Sequence, residues 1–91
     1  MDSSSLEEIS EELIRKFISV YIAEMVEIRT DSREIENFAE NQLLDSFGVM
    51  NLIATLEKRF NVKFSVSEIV GDQFKTVSGL ASIVFSKYQD R

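Results

Sequence analysis

Apolar residues recur at helical spacing over the first 25 residues and predict a first helix from about residue 5 to residue 25. Ser4 and Ser5 precede the pattern as N-cap candidates, and Ser5 with Glu8 has the spacing of a capping box. The predicted buried stripe of this helix consists of Leu6, Ile9, Leu13, Phe17, Val20, Tyr21 and Met25.

The segment from residue 26 to residue 45 keeps no helical period. Ile28, Ile35 and Phe38 are spaced apolar anchors, and Asp31 or Ser32 is placed to cap a short turn through Glu36. A connection this long without regular structure is uncommon in a small domain and is more often functional than accidental. It leads directly into the sequence Leu43-Leu44-Asp45-Ser46.

A second helix is predicted to begin at Asp45 or Ser46 and to end near Phe60, with Asn61 as its stop. Its apolar stripe is Phe47, Met50, Leu52, Ile53, Leu56 and Phe60. After it, Val62 and Phe64 alternate with polar residues for too few positions to form a sheet. They are expected to form an extended linker that places two side chains in the core.

The remaining chain predicts one short and one long helix. Ser65 or Ser67 caps a short turn around Glu68, and Thr76 opens a last helix with the stripe Val77, Leu80, Ala81, Val84, Phe85 and Tyr88. The chain has no proline and only three glycines, which favours long helices over a sheet rich in turns. The predicted class is all-α, with a single domain over residues 1–91 and an ordered core over about residues 5–88.

Composition removes several classes of function. The chain has no cysteine and no histidine, so neither a Ser-His-Asp triad nor a zinc site can be assembled from it, and its chemistry must come from a cofactor or a partner. A net charge of −6 without a basic cluster argues against nucleic-acid binding. The acidic residues Asp31, Glu34, Glu36 and Glu40 lack EF-hand spacing, so no metal site is expected. No apolar run approaches the roughly 20 residues of a membrane span and no signal peptide opens the chain, so we expect a cytoplasmic monomer.

Ser46 is the candidate functional residue because it stands at the predicted start of the second helix, outside the packed stripe. The negative charge of Asp45 stabilises the N-terminal end of the helix, and its carboxylate is available for recognition by a modifying enzyme. Leu44 and Phe47 are expected to face inward and to fix the direction of the serine. Since the chain has no histidine to act as a base, Ser46 suits being modified better than attacking a substrate. The alternative is that Ser46 serves only as an N-cap.

This segment resembles the phosphopantetheine attachment site of acyl carrier proteins, in which Asp-Ser-Leu opens the second of four helices. The approach through Phe38, Glu40, Leu43 and Leu44 is similar to the long first loop of that family, and Leu52, Leu56, Glu57 and Phe60 are similar to its second helix. Val62, Phe64 and the sequence Phe74-Lys75-Thr76-Val77 continue the resemblance, which covers about residues 5 to 88. It implies a four-helix bundle of the acyl-carrier type, with a long loop between helices 1 and 2 and a short third helix.

The resemblance also implies a function without catalysis. A phosphopantetheinyl transferase would attach 4′-phosphopantetheine from coenzyme A to Ser46, with Asp45 as the flanking motif residue. The stand-alone carrier would hold an acyl or aminoacyl thioester for a loading ligase and for a downstream acyltransferase or synthase of fatty-acid, polyketide or other specialised acyl biosynthesis. Partners of this family read the second helix and the loop before it. The partner-binding candidates are therefore Leu44, Phe47, Val49, Met50, Ile53, Ala54 and Glu57.

Two departures from the family pattern shape the expected partner. Phe47 replaces the usual leucine, a change the core should accept. Gly48, Val49, Asn51, Ala54 and Thr55 stand where fatty-acid carriers often have carboxylates, which favours a more apolar partner contact. In spacing, the chain also resembles D-alanyl carrier proteins, which are loaded by an AMP-forming ligase. The residues that carry this resemblance are Leu43-Leu44-Asp45-Ser46-Phe47-Gly48, then Val66-Ser67-Glu68, and then Phe74 and Thr76. An unmodified helical interaction module is the remaining alternative.

Overall fold

The computed structural model describes residues 9–26 and 30–90, and these ranges form helices joined by loops without a β-strand. The all-α prediction is therefore confirmed, and the helices are compatible with the expected carrier-type bundle. The helices are α1 (Glu11–Met25), α2 (Ser32–Glu36), α3 (Ser46–Phe60), α4 (Val66–Ile69) and α5 (Val77–Gln89), with a 3₁₀ helix at Asp72–Lys75 before α5. The short α2 lies within the loop predicted between the first two long helices.

Helix α1 begins later than predicted and buries a different face. Ser10 caps it by accepting the N–H of Leu13 at 3.1 Å, whereas the predicted caps Ser4 and Ser5, and Leu6 of the stripe, lie outside the described residues. The residues buried in the core are Ile14, Ile18 and Ile22. Of the predicted stripe, Leu13, Val20 and Met25 are exposed, and Ile9, Phe17 and Tyr21 are only half-buried. The predicted stripe is thus wrong by about one residue position, or 100° around the helix. Both faces of α1 carry apolar residues, so their spacing alone does not choose between them.

The loop between α1 and α3 is ordered around α2. Asp31 accepts the N–H of Glu34 at 2.9 Å, and the Glu34 side chain accepts the N–H of Asp31 at 3.2 Å, which completes a capping box. The predicted cap and turn are confirmed. Of the expected anchors, Ile35 and Phe38 are buried, and Ile28 lies outside the described residues.

Helix α3 has the predicted bounds, and Asn61 ends it in the left-handed conformation at φ 58°. Leu52, Leu56 and Phe60 are almost fully buried on its inner face. In the linker that follows, Val62 is buried and Phe64 is half-buried. The rings of Phe64 and Phe74 pack edge to face, with their centroids 5.1 Å apart. The linker prediction is confirmed.

Two short elements connect this linker to α5. Ser65 and Glu68 form a capping box at α4, and the second carboxylate oxygen of Glu68 lies 3.0 Å from Nζ of Lys87 on α5. Thr76 caps α5 as predicted, and α5 makes its most extensive contact with α1. The core residues of α5 are Val77, Leu80, Ala81, Ile83 and Val84.

The 3₁₀ helix approaches α5 very closely at Gly79. A Cβ atom at this position would overlap the carbonyl oxygen of Gln73 and would lie 3.0 Å from the Gln73 carbonyl carbon and Cα. Position 79 therefore requires a residue without a side chain.

Candidate functional site

Ser46 is the first residue of α3, and its side chain is exposed. Asp45 is the N-cap: its Oδ1 accepts the N–H of Gly48 at 2.7 Å, and its carbonyl accepts the N–H of Val49 at 2.9 Å. Because Asp45 performs the capping, the Ser46 hydroxyl makes no hydrogen bond to any residue that the structure describes. The serine is thus held at a fixed position at the start of α3, while its hydroxyl forms no hydrogen bond that stabilises the described part of the fold.

The loop that presents Ser46 is closed by a left-handed residue. Gln42 has φ 53°, its N–H donates to the carbonyl of Ala39 at 3.1 Å, and the N–H of Leu43 donates to the carbonyl of Phe38 at 3.0 Å. These two bonds and the left-handed residue form a Schellman motif, in which a glycine is the usual residue at the position of Gln42. Phe38 is buried and Leu43 half-buried, which supplies the apolar contact that accompanies the motif.

The same loop is fastened to the C-terminal part of the chain. The N–H of Ala39 donates to the carbonyl of Lys75 at 3.3 Å. Oε2 of Glu36 accepts the N–H of Ser78 at 3.1 Å, so a carboxylate of α2 satisfies one free N–H at the start of α5. The position of Ser46 therefore depends on contacts with residues about 30 positions further along the chain.

The residues around Ser46 do not all face as predicted. The inward orientation expected for Phe47 is wrong: its side chain is 73% exposed, and Met50 on the next turn is 63% exposed. Leu44 is half-buried, in line with its expected packing. The physical reason is that Leu52, Leu56 and Phe60 define the inner face of α3, and Phe47 and Met50 lie outside that face.

The other partner-binding candidates occupy three kinds of position. Ala54 is exposed and Val49 is half-buried. Ile53 is 7% exposed and packs in the core, so it presents almost no surface to a partner. Glu57 is half-buried, and its Oε2 accepts the N–H of Phe64 at 3.0 Å, which holds the linker after α3 in place.

An open cleft of about 430 Å³ lies beside Ser46. It is lined by Met25 at the end of α1, by residues 42–45 of the loop, and by Phe47 and Gly48 of α3. Both chain neighbours of Ser46 thus belong to its wall. The sequence did not predict that Met25 and Gln42 line this cleft. Met25 was assigned to the core, and position 42 lacks the glycine that would indicate a left-handed residue.

The residues present fit a phosphodiester on Ser46. The hydroxyl is accessible, and the N–H groups of Ser46 and Phe47 have no protein acceptor among the described residues. A phosphate at the start of a 15-residue helix is stabilised by such free N–H groups and by the helix dipole. Within the described ranges, no group of three or more His, Cys, Asp or Glu side chains is arranged to hold a metal ion, and no helix has the length and apolarity to cross a membrane.

Comparison with known proteins agrees with this geometry. Residues 16–84 match the family described as "Phosphopantetheine attachment site". A D-alanyl carrier protein of Leuconostoc mesenteroides is 32% identical over 75 residues, which cover 82% of this chain and 91% of that protein. No solved structure gives a significant match. Carrier domains of this family are not catalytic, as the composition predicts. The chain therefore belongs to the phosphopantetheine attachment family and is a carrier protein that bears covalently bound 4′-phosphopantetheine.

Proposed function

We propose that Ser46 carries the phosphopantetheine arm, and that the protein delivers an acyl or aminoacyl group bound to that arm as a thioester. The observation that supports this most directly is the exposed Ser46 hydroxyl at the first position of α3, which makes no hydrogen bond to the residues of ranges 9–26 and 30–90. The Asp45 cap keeps the hydroxyl free and orients it at the helix end. The proposed delivery serves fatty-acid, polyketide or other specialised acyl biosynthesis.

The chemistry divides between this chain, its cofactor and its modifying enzyme. In the attachment step, Oγ of Ser46 forms a bond to the phosphorus on the pantetheine side of coenzyme A. The bond from that phosphorus to the bridging oxygen of the pyrophosphate breaks, and adenosine 3′,5′-bisphosphate leaves with that oxygen. The hydroxyl proton passes to a base of the transferase in this proposal, because this chain has no histidine. The bound group supplies the thiol that a chain without cysteine lacks.

Replacement of the serine tests this assignment. Ser46→Ala is expected to abolish arm attachment, measured by intact mass and by thiol titration after incubation with coenzyme A and a broad-specificity phosphopantetheinyl transferase. The helical circular dichroism should be unchanged, because Asp45 retains the cap. Ser65→Ala is the matched control, since Ser65 is also an exposed serine at the start of a helix. Attachment to the Ser46 variant, or none to the wild type, would show that the assignment is wrong.

D-alanine loaded by an AMP-forming ligase is the second candidate cargo, and the similarity to a D-alanyl carrier protein favours it. In this case an AMP-forming ligase would load D-alanine onto the arm. Incubation of the arm-bearing protein with such a ligase, ATP and D-alanine should add one alanyl group that hydroxylamine releases, as a thioester requires. Loading with fatty acyl groups but not with D-alanine would favour the first candidate.

We further propose that the loading enzyme contacts an uncharged, apolar surface formed by Phe47, Met50 and Ala54. All three side chains are exposed on α3, and no residue from 46 to 56 carries a charge. Met50→Glu should leave arm attachment and folding intact but slow loading by the native ligase. Ser86→Glu adds the same charge at an exposed position of α5 and serves as the control. Equal loading rates for the two variants would contradict the proposed contact.

A further inference from the structure

We infer that the cleft beside Ser46 is a seat for the phosphopantetheine arm, in which the side-chain amide of Gln42 hydrogen-bonds the amides of the arm. This inference rests on the proposed attachment to Ser46. It concerns where the arm lies when it is not engaged by a partner enzyme.

The position of the cleft determines which group can fill it. Asp45 and Phe47 line the cleft, and Ser46 lies between them, so a chain tethered to Ser46 starts at the edge of the cavity. A tethered group has a high effective concentration at a site within its reach and needs little intrinsic affinity to occupy it. No free ligand has this advantage.

The chemistry of the lining matches the arm. Phosphopantetheine alternates two amide groups with short methylene runs and a branched dimethyl carbon. The residues that line the cleft include Gln42, which carries a side-chain amide, and the apolar residues Met25, Leu43 and Phe47. Met25 is 41% exposed and Phe47 is still more exposed, so both lose unfavourable contact with water when a partly apolar chain covers them.

The backbone of Gln42 gives an independent argument. Gln42 adopts φ 53°, a conformation that glycine takes without steric cost and that a side chain with a Cβ disfavours. Residues kept in such conformations cluster at ligand sites, so the left-handed Gln42 points to a role in binding. Gln42 is one of the residues that line the cleft, and a glycine at this position would bring no side-chain amide to it. Asn61 is also left-handed but is absent from the lining of this cleft, and asparagine tolerates the conformation better.

The inference is tested on the full chain with and without the arm, by NMR and thermal unfolding. In the wild type, attachment should shift the side-chain amide signals of Gln42 and the methyl signal of Met25, and should raise the melting temperature. Gln42→Gly should raise the melting temperature of the arm-free protein, because strain is relieved, and should remove the further rise on attachment. Asn61→Gly is the matched control and should keep that further rise.

The outcomes separate this inference from the proposed function. If the arm attaches but signal changes stay within residues 45–47, or if Gln42→Gly retains the full rise in melting temperature, the seat is wrong and the attachment stands. If the wild type gains no arm from coenzyme A and a competent transferase, both proposals fail.

Discussion

Gly79→Ala and Gly48→Ala form a matched pair of substitutions with opposite expected effects. Both glycines occupy the third position of a helix, and both donate their N–H to the side chain of the N-cap: Gly48 to Asp45 at 2.7 Å and Gly79 to Thr76 at 3.0 Å. Alanine is favoured over glycine within a helix by up to about 1 kcal/mol, and this gain is similar at the two positions. The pair therefore isolates the effect of the added Cβ atom.

The surroundings of the two Cβ atoms differ. At position 48 the Cβ would lie 3.3 Å from Oδ1 of Asp45 and 3.3 Å from Cβ of Leu44, so these neighbours need to move by only a few tenths of an ångström. At position 79 the Cβ would overlap the backbone carbonyl of Gln73, so the 3₁₀ helix must move away from α5. Forced shifts of this kind cost about 1–3 kcal/mol. We expect Gly48→Ala to be nearly neutral and Gly79→Ala to be less stable than Gly48→Ala by about 1–3 kcal/mol.

Thermal unfolding followed by circular dichroism measures the difference. For a chain of this size, 1 kcal/mol corresponds to roughly 4–8 °C in melting temperature. Gly79→Ala should therefore melt at least about 4 °C below Gly48→Ala. Equal melting temperatures, or a higher value for Gly79→Ala, would refute the close contact between the 3₁₀ helix and α5.

Leu56→Ala should lower the free energy of unfolding by about 2–5 kcal/mol in urea titration, because it opens a cavity in a small core, and a loss below about 1 kcal/mol would contradict the assigned inner face of α3. Ile14→Ala should cost about as much, whereas Leu13→Ala should cost much less because Leu13 is exposed; a larger loss for Leu13→Ala would restore the face of α1 predicted from the sequence. The hydrogen bond from the Ser65 N–H and the contact with Lys87 hold the pKa of the Glu68 carboxyl below its ordinary value. The charged carboxylate therefore stabilises the fold fully at a pH above the ordinary pKa, and this stabilisation is lost as the pH falls through the lowered pKa. Glu68→Gln should therefore show a smaller loss of melting temperature than the wild type between about pH 6 and pH 3, and equal losses would show that this contact does not stabilise the fold.

The sequence was sufficient wherever a local signal determines the structure. The short turn capped at Asp31 or Ser32, the start of α3 at Asp45 or Ser46 and the stop at Asn61 could be predicted because each depends on residues within one helical turn. The sequence did not show that Glu34 completes a capping box or that Asp45 is the cap of α3. Ser46 was proposed from its place at the predicted start of α3 together with the resemblance of the surrounding segment to the acyl carrier family. Met25, Lys75 and Ser78, which line the cleft beside Ser46 or hold its loop in place, are more than 20 residues from Ser46 along the chain and carry no local signal.

Side-chain orientation was the part that the sequence left undetermined. Ile14 and Leu13 are adjacent, and the choice between their faces depends on how α1 packs against α5. Phe47 was assigned to the core because it is large and apolar, yet the inner face of α3 is already filled by Leu52, Leu56 and Phe60. Hydrophobicity predicts burial on average and does not identify the exposed apolar residues that form a surface.

The loop before α3 is hydrogen-bonded to Lys75 and Ser78, so it can adopt its native structure only after these residues have been synthesised. During synthesis, residues 36–46 are made before their partners at the start of α5. The N–H of Ser78 must be available before the carboxylate of Glu36 can hold α2, and the carbonyl of Lys75 before Ala39 is fixed. Ser46 therefore reaches its native setting only after the start of α5 has been made, so a transferase that recognises the folded loop acts on a chain that already includes Lys75 and Ser78.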